Sequence, residues 1–321
     1  MSMVTSAMDH VIRAELWSSQ LKEILLDDLD AMRWVDFLTE FPDGTTFTIP
    51  SVGQATTQDV LEDVALTYES LDTGEFQFII DKYKGSAHYI TRQALQDSFY
   101  AQRILGSFVE KERRAIMEVL ETDILKTPGP NASQSSTAQT AASTNAINGM
   151  DHRFIGTGTN EVIALADFAK AKLSLKKANV PMSQLVAIVD PTVAYEIETS
   201  ANFVNFSSSN ARWDSIVETG LTSGMRFIKN IYGFDVYESN YLDDANENIG
   251  TPTTAAGKQN LFFSAERSVL PIIGAWRQLP QVDSEFNKDF QREEYITTAR
   301  YGTKLYRPEN MVCVLTDTDQ V

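Results

Sequence analysis

The segment from residue 74 to residue 125 constrains this chain more than any other. An alternating strand, Phe76-Gln77-Phe78-Ile79-Ile80, runs through the ten residues from Asp81 to Ile90. It leads into one uninterrupted helical stretch, Thr91 to Leu125. Leu95, Phe99, Ile104, Leu105, Phe108, Ile116, Val119, Leu120 and Ile124 recur there at the three- and four-residue steps of an amphipathic helix. At 1.5 Å per residue the stretch predicts a rod of roughly 50 Å, against a mean helix of about 11 residues. No proline interrupts it, and Pro128-Gly129-Pro130 stops it. The pattern alone fits a long helix in an ordinary domain. It fits equally a scaffold for contacts, fed by a two-stranded arm.

Charge narrows the choice of partners. The 321 residues carry 44 acids and 27 bases, a net charge of −17. Such a surface repels nucleic acid, so sequence-specific DNA or RNA binding is not expected. The acids are unevenly placed. Between Arg33 and Lys82 there is no base, while Asp36, Glu40, Asp43, Asp59, Glu62, Asp63, Glu69, Asp72, Glu75 and Asp81 all fall there. An acidic arm of this kind stays solvated or lies on a basic partner surface. No apolar run is long enough to span a membrane, and the N-terminus lacks the basic and apolar regions of a secretory signal. The one cysteine, Cys313, sits in the apolar run Met311–Leu315. It reads as a buried, reduced thiol made in a reducing cytoplasm.

Along the chain, residues 8 to 40 read as helical, and Pro42-Asp43-Gly44 as a turn. Thr45 to Ile49 alternates as a strand able to pair antiparallel with Phe76-Phe78-Ile80, so residues 50 to 74 form the far part of a long hairpin. Residues 127 to 160 are rich in Ser, Thr, Ala, Asn and Gly and predict a flexible connection. Asn160 is expected to cap a helix to about Ala178, with Val162, Leu165, Phe168 and Leu173 inward and four lysines outward. A strand is expected at Val186–Val189 and a helix from Asp190-Pro191 to Glu198. Further strands are expected at 225–228 and 234–237 across Tyr232-Gly233, and at 261–263, 269–273, 295–306 and 311–315.

Chemistry is sparse. His10, His88 and His152 do not pair with one another or with Cys313 at metal spacing, which removes zinc and triad readings. Gly156-Thr157-Gly158 precedes a helix but lacks the rest of a phosphate loop, and reads as a hinge. Asp243, Asp244 and Glu247 read as a solvated loop rather than a divalent-ion site. No catalytic residue, cofactor or metal site is expected.

Several segments, taken in order, resemble the major capsid proteins of tailed bacteriophages, a fold shared with the herpesvirus capsid floor and encapsulins. Residues 45–80 resemble the family's extended loop and 91–125 its spine helix. Residues 169–197, with Val180-Pro181 and Asp190-Pro191, resemble its axial-domain helix, strand and next helix. Residues 230–242 resemble its strand pair, and 299–315, with Arg300-Tyr301-Gly302 and Arg307-Pro308-Glu309, its closing strands. The last features look closest to coat proteins of short-tailed phages.

The resemblance implies an α+β fold with an N-terminal arm (1–40), an extended loop (41–90), a spine helix of the peripheral domain (91–126) and a flexible connection (127–160). An axial domain (161–262) and C-terminal strands of the peripheral domain (263–321) complete it. It implies self-assembly as hexamers and pentamers into an icosahedral shell around double-stranded DNA. Implied partners are the chain itself, a separate scaffolding protein, a portal, and packaged DNA held without sequence-specific binding. The implied location is the virion capsid, assembled in the host cytoplasm, with no membrane contact. In this fold the extended loop lies on a neighbour, which makes Phe47, Ile49, Phe76 and Phe78 interface candidates on the arm. Arg92, Arg103, Lys111, Arg113 and Arg114 on the long helix are candidates for its landing surface, with Glu110 a local partner for Arg114. Residues 34 to 81 contain no lysine, which argues against the loop-lysine crosslink of some members.

Two other readings compete. An encapsulin-type cellular compartment keeps the fold and changes the contents. A cytoplasmic α+β enzyme with carboxylate chemistry predicts a monomer or small oligomer.

Overall fold

The computed structural model describes residues 31–38, 46–52, 57–60, 73–97, 101–127, 146–199, 226–244 and 257–317, with residues 62, 65, 70 and 249 singly. For 52, 73, 97, 101–110, 160, 198, 199 and 226–229 the description is of the backbone. After a 3₁₀ turn, Ala31–Trp34, come strands β1 (Val35–Leu38), β2 (Thr46–Val52), β3 (Thr73–Ile79) and β4 (Lys82–Thr91). Helices α1 (Arg92–Asp97) and α2 (Ala101–Lys126) follow. Then come β5 (Ala146–Ile147), β6 (Met150–Asp151), β7 (Arg153–Ile155), α3 (Leu165–Lys177), β8 (Leu185–Val189) and α4 (Pro191–Thr199). The remaining strands are β9 (Arg226–Ile231), β10 (Phe234–Glu238), β11 (Gly257–Ser264), β12 (Ile272–Asn287), β13 (Arg292–Leu305) and β14 (Val312–Asp317).

A six-stranded sheet of order β7-β14-β11-β8-β10-β9 holds the largest core. Its strands are apolar at nearly every position because both faces are covered. Side chains alternate between the faces. Ala187, Val189, Phe234, Val236, Phe262, Val312 and Val314 meet α3 and α4 through Phe168, Ala171, Leu175, Val193 and Ile197. Val186, Ile188, Leu261, Phe263 and Cys313 face the other way, onto Ala31, Trp34, Leu120, Ile124 and Tyr301. The helical end of α2 is therefore bolted to the back of this sheet. A second sheet, β1-β12-β13-β4, carries the rest of α2. The hairpin β2–β3 stands as its own two-stranded sheet.

Several expectations change. The long helix is described as α1 and α2, with residues 98–100 outside the described residues. The N-terminal helix expected to residue 40 gives way at Val35 to a strand that pairs in parallel with β12; residues 8–30 lie outside the described residues. Residues 146–160, expected in a flexible connection, are built into the fold. Asn148 and Gly149 take positive φ (51° and 77°) in the turn between β5 and β6, the conformation these two residue types tolerate best. Arg153, Phe154 and Ile155 then pair in parallel with β14. Residues 128–145 lie outside the described residues.

Gly156-Thr157-Gly158 is not a hinge. A β-carbon on Gly158 would lie 2.4 Å from the Val162 carbonyl oxygen, and one on Gly156 2.8 Å from it. The turn is closed by buried Asp167, which accepts from Thr157 N–H (3.0 Å), Thr157 Oγ1–H (2.8 Å) and Ala164 N–H (2.7 Å). Asp167, not Asn160, thus supplies the start of α3. The helix buries Phe168, Ala171 and Leu175, while Leu173, expected inward, is exposed.

At α4, Asp190 Oδ2 accepts from Thr192 N–H (3.1 Å) and Thr192 Oγ1–H (2.6 Å), and Pro191 is the first helical residue. That is the start the sequence predicts.

The expected strand 269–273 begins only at Ile272 and continues to Asn287, well past its expected end. The expected boundary at 262/263 does not separate two sheets, because β14 sits beside β11 at the heart of the six-stranded one.

Cys313 is fully buried on β14, as expected, and burial pushes its thiol from 9.0 up to about 12. The neutral thiol is favoured in the folded state, so its contribution to stability is complete below about pH 9 and is lost as pH rises towards 12. The thiolate is the reactive species. A thiol-specific disulfide reagent at about pH 8 is therefore expected to leave the native chain untouched and to titrate one thiol per chain after unfolding. Prompt reaction of the native chain would contradict this burial.

Candidate assembly surface

Register fixes what the arm presents. Phe47 pairs with Phe78 and Ile49 with Phe76, so the four apolar side chains share one face of the hairpin. That face lies on the chain's own second sheet, against Leu38, Ile273, Ala275, Ile80 and Tyr306. Phe78 is completely buried there, which removes it as an intersubunit contact. Phe47, Ile49 and Phe76 are partly buried in the same cluster, so the root of the arm does not depend on a neighbour to cover its apolar side. The opposite face carries Thr46, Thr48, Glu75, Gln77 and Ile79, all exposed. Of the ten acids, Asp36, Asp59, Glu62, Glu75 and Asp81 are exposed, and the other five lie outside the described residues.

Helix α2 meets the second sheet through a polar seam that the sequence did not reveal. Buried Glu112 accepts from Thr297 Oγ1–H at 2.8 Å, and His88 Nδ1 lies 2.6 Å from its other oxygen. Glu121, also buried, accepts from Ala31 N–H with both oxygens at 2.9 Å. Asp123 accepts from Tyr301 O–H at 2.7 Å and lies 3.2 Å from Lys82 Nζ. Burial, then Asp123, raise the Tyr301 pKa, which keeps the phenol protonated and donating. Three acids of an acidic chain are thus consumed internally: Glu112 and Asp123 hold the helix in register on β4 and β13, and Glu121 ties it to the 3₁₀ turn before β1. The only available signal was that acids recur on the helix's apolar side, which acidic composition disguises.

The basic candidates divide. Arg113 is exposed, and Lys111 and Arg114 are half-buried. Arg114 Nε lies 3.6 Å from Glu118 Oε1, one turn on; the side chain of Glu110, its expected local partner, lies outside the described residues. Arg92 opens α1, exposed, with its guanidinium 6.0 Å from the Phe286 ring centre. The Arg103 side chain lies outside the described residues.

Other suspected chemistry is occupied. Asp243 is 3.2 Å from Lys126 Nζ, and Asp244 is 2.6 Å from Lys258 Nζ; Glu247 lies outside the described residues. His152 is buried between the Met150 and Glu309 carbonyl oxygens, each 3.2 Å away. Burial lowers its pKa more than those carbonyls raise it. No described helix is long and apolar enough to cross a membrane.

The fold is that of known shell proteins. The Mycobacterium phage Che8 structure superposes with a TM-score of 0.67 at 17% identity, covering 94% of this chain and 96% of that one. The capsid subunit of cyanophage Pam1 gives 0.71 at 14% identity, covering 100% and 99%. That of cyanophage P-SCSP1u gives 0.68 at 15% identity, covering 97% and 94%. No curated protein sequence matches the chain. The phage capsid protein family matches residues 74–314, from the second strand of the arm to the middle of β14. With three-quarters of its length matched and the fold in agreement, the chain belongs to the phage capsid protein family and is a phage major capsid protein.

Proposed function

We propose that this chain builds an icosahedral shell of hexamers and pentamers that encloses a double-stranded DNA genome, with its acidic arm lying on the next subunit. The observation that carries the reading is the arm itself. A hairpin with exposed acids and no base is rooted on the second sheet, and the solvent side of α2 carries Arg113. Neighbouring arms repel one another, so the arm needs a basic landing surface. Heterologous contacts of this kind close into rings. A net charge of −17 suits a container, because an acidic wall does not adhere to packaged DNA. Assembly in the host cytoplasm with a separate scaffolding protein and a portal completes the proposal.

Each exposed ion pair contributes only about 0–1 kcal/mol, but a closed ring repeats it. Charge reversal at Arg113 and Arg114 together is expected to lower shell yield without unfolding the subunit. Yield of the unmodified chain is expected to fall as salt rises. Light scattering across a salt series reads assembly, and circular dichroism checks the fold. Normal assembly of the folded double variant at every salt concentration would remove these arginines as the landing site.

A further inference from the structure

The root of the arm meets the second sheet at four points that act together. First, β3 ends at Ile79 and β4 begins at Lys82, leaving two residues, Ile80 and Asp81, between them. There is no slack on this side. Second, the neighbouring positions Ala275 and Gly302 form a shallow seat on the sheet face turned away from α2. A β-carbon at Gly302 would come within 2.7 Å of the Ile79 carbonyl oxygen, 3.1 Å of Ile80 Cα and 3.2 Å of Phe78 Cζ. Two of these are backbone atoms that cannot swing aside. Third, Lys304 donates from Nζ to the Gln77 carbonyl oxygen at 2.7 Å, with its ammonium 4.8 Å from the Phe76 ring centre. Fourth, Phe76 meets Tyr306 edge to face at 5.0 Å. The first ties β3 to β4, and the other three fasten it to one end of β13 and the residue just after it.

We propose that this root is a preset elbow: the arm leaves the subunit at one fixed angle before any neighbour arrives, set by the glycine seat at Gly302 and the Lys304 clamp. A loop that had to be ordered on contact would add an entropic cost to every arm in the shell. A preset arm removes that cost and gives each subunit the same reach. The inference rests on the shell reading for its consequence, but the elbow itself is a property of one subunit and is measured there.

The test is a pulsed electron–electron resonance distance between spin labels at Thr48→Cys on β2 and Ser284→Cys on β12. Both positions are exposed, and the native Cys313 is buried. Labelled chain is diluted with unlabelled chain, so that only distances within a subunit are read, before and after assembly. The elbow predicts one narrow distance peak at the same position in both states. A broad or two-peaked distribution in the free subunit, or a peak that moves on assembly, would overturn it. Gly302→Ala is expected to displace the peak and reduce shell yield. Lys304→Met is expected to broaden the peak, and it decides the matter if Gly302→Ala does not fold. An unchanged distribution in the folded variants would also overturn the elbow. Failure of the parent chain to form shells under any condition, with the narrow peak retained, would count against the shell reading alone.

Discussion

Replacing Phe262 by Ala is expected to lower the unfolding free energy by about 3–5 kcal/mol. Phe262 lies on the face of β11 covered by α3 and α4, and none of it is exposed. Its ring meets Phe168 at 5.2 Å and 81°, and Phe234 at 5.4 Å and 90°. Edge-to-face contacts of this kind contribute beyond the area they bury. The three rings come from a helix and two strands far apart in sequence, so no single element can collapse into the vacated space. Against a usual stability of about 5–15 kcal/mol, the loss is large. Urea unfolding checks it: the midpoint falls while the slope holds, if the variant keeps a compact native state. A change under about 1 kcal/mol would mean that the sheet does not close on its helices through these rings.

The second large effect falls on Tyr301, where the two sheets and α2 come together. Its ring is fully buried beside Trp276, with centroids 5.5 Å apart. Its hydroxyl donates to Asp123 of α2. Tyr301→Ala removes the ring and orphans that contact, so a loss of about 3–5 kcal/mol is expected, near the upper end of large-to-small changes. Tyr301→Phe keeps the ring and removes one hydrogen bond to a charged acceptor, at a cost of about 1.5–3 kcal/mol. The pair of variants separates packing from the polar seam. Equal losses for both would mean that the hydroxyl alone carries the contact, and a neutral Tyr301→Phe would mean that Lys82 suffices for Asp123.

The legible parts of this fold were local in origin. The β2–β3 pairing followed from two alternating runs, and the antiparallel register agrees. The start of α4 was written in Asp190-Pro191, and the turn before β10 in Tyr232-Gly233, which take φ of 52° and 92°. The illegible parts came from distant partners. The second half of β12 is polar and contains Pro280, which argues against a strand. Its register with β13 shifts between Gln278 and Gln281, and that irregularity accommodates the proline.

Residues 146–155 looked like linker because they lie in the stretch 127–160, which as a whole is rich in Ser, Thr, Ala, Asn and Gly. Residues 146–151 form the β5–β6 hairpin, and residues 153–155 pair with β14, more than 150 residues away. Phe78 looked like an interface residue because nothing nearby could cover it. Its cover comes from Ala275 and Gly302, about two hundred residues further along the chain. Interface candidates drawn from periodicity alone therefore overcount, because one subunit can supply the surface that a neighbour was expected to provide.

A subunit of this design closes into a shell. Negative-stain electron microscopy of the purified chain, alone and co-expressed with the scaffolding protein proposed above, decides whether it does. Closed particles are expected, with five- and six-fold clusters of subunits, each subunit reaching over its neighbour with the arm. Only monomers or small oligomers at high protein concentration, with scaffold present and the subunit folded by circular dichroism, would contradict it.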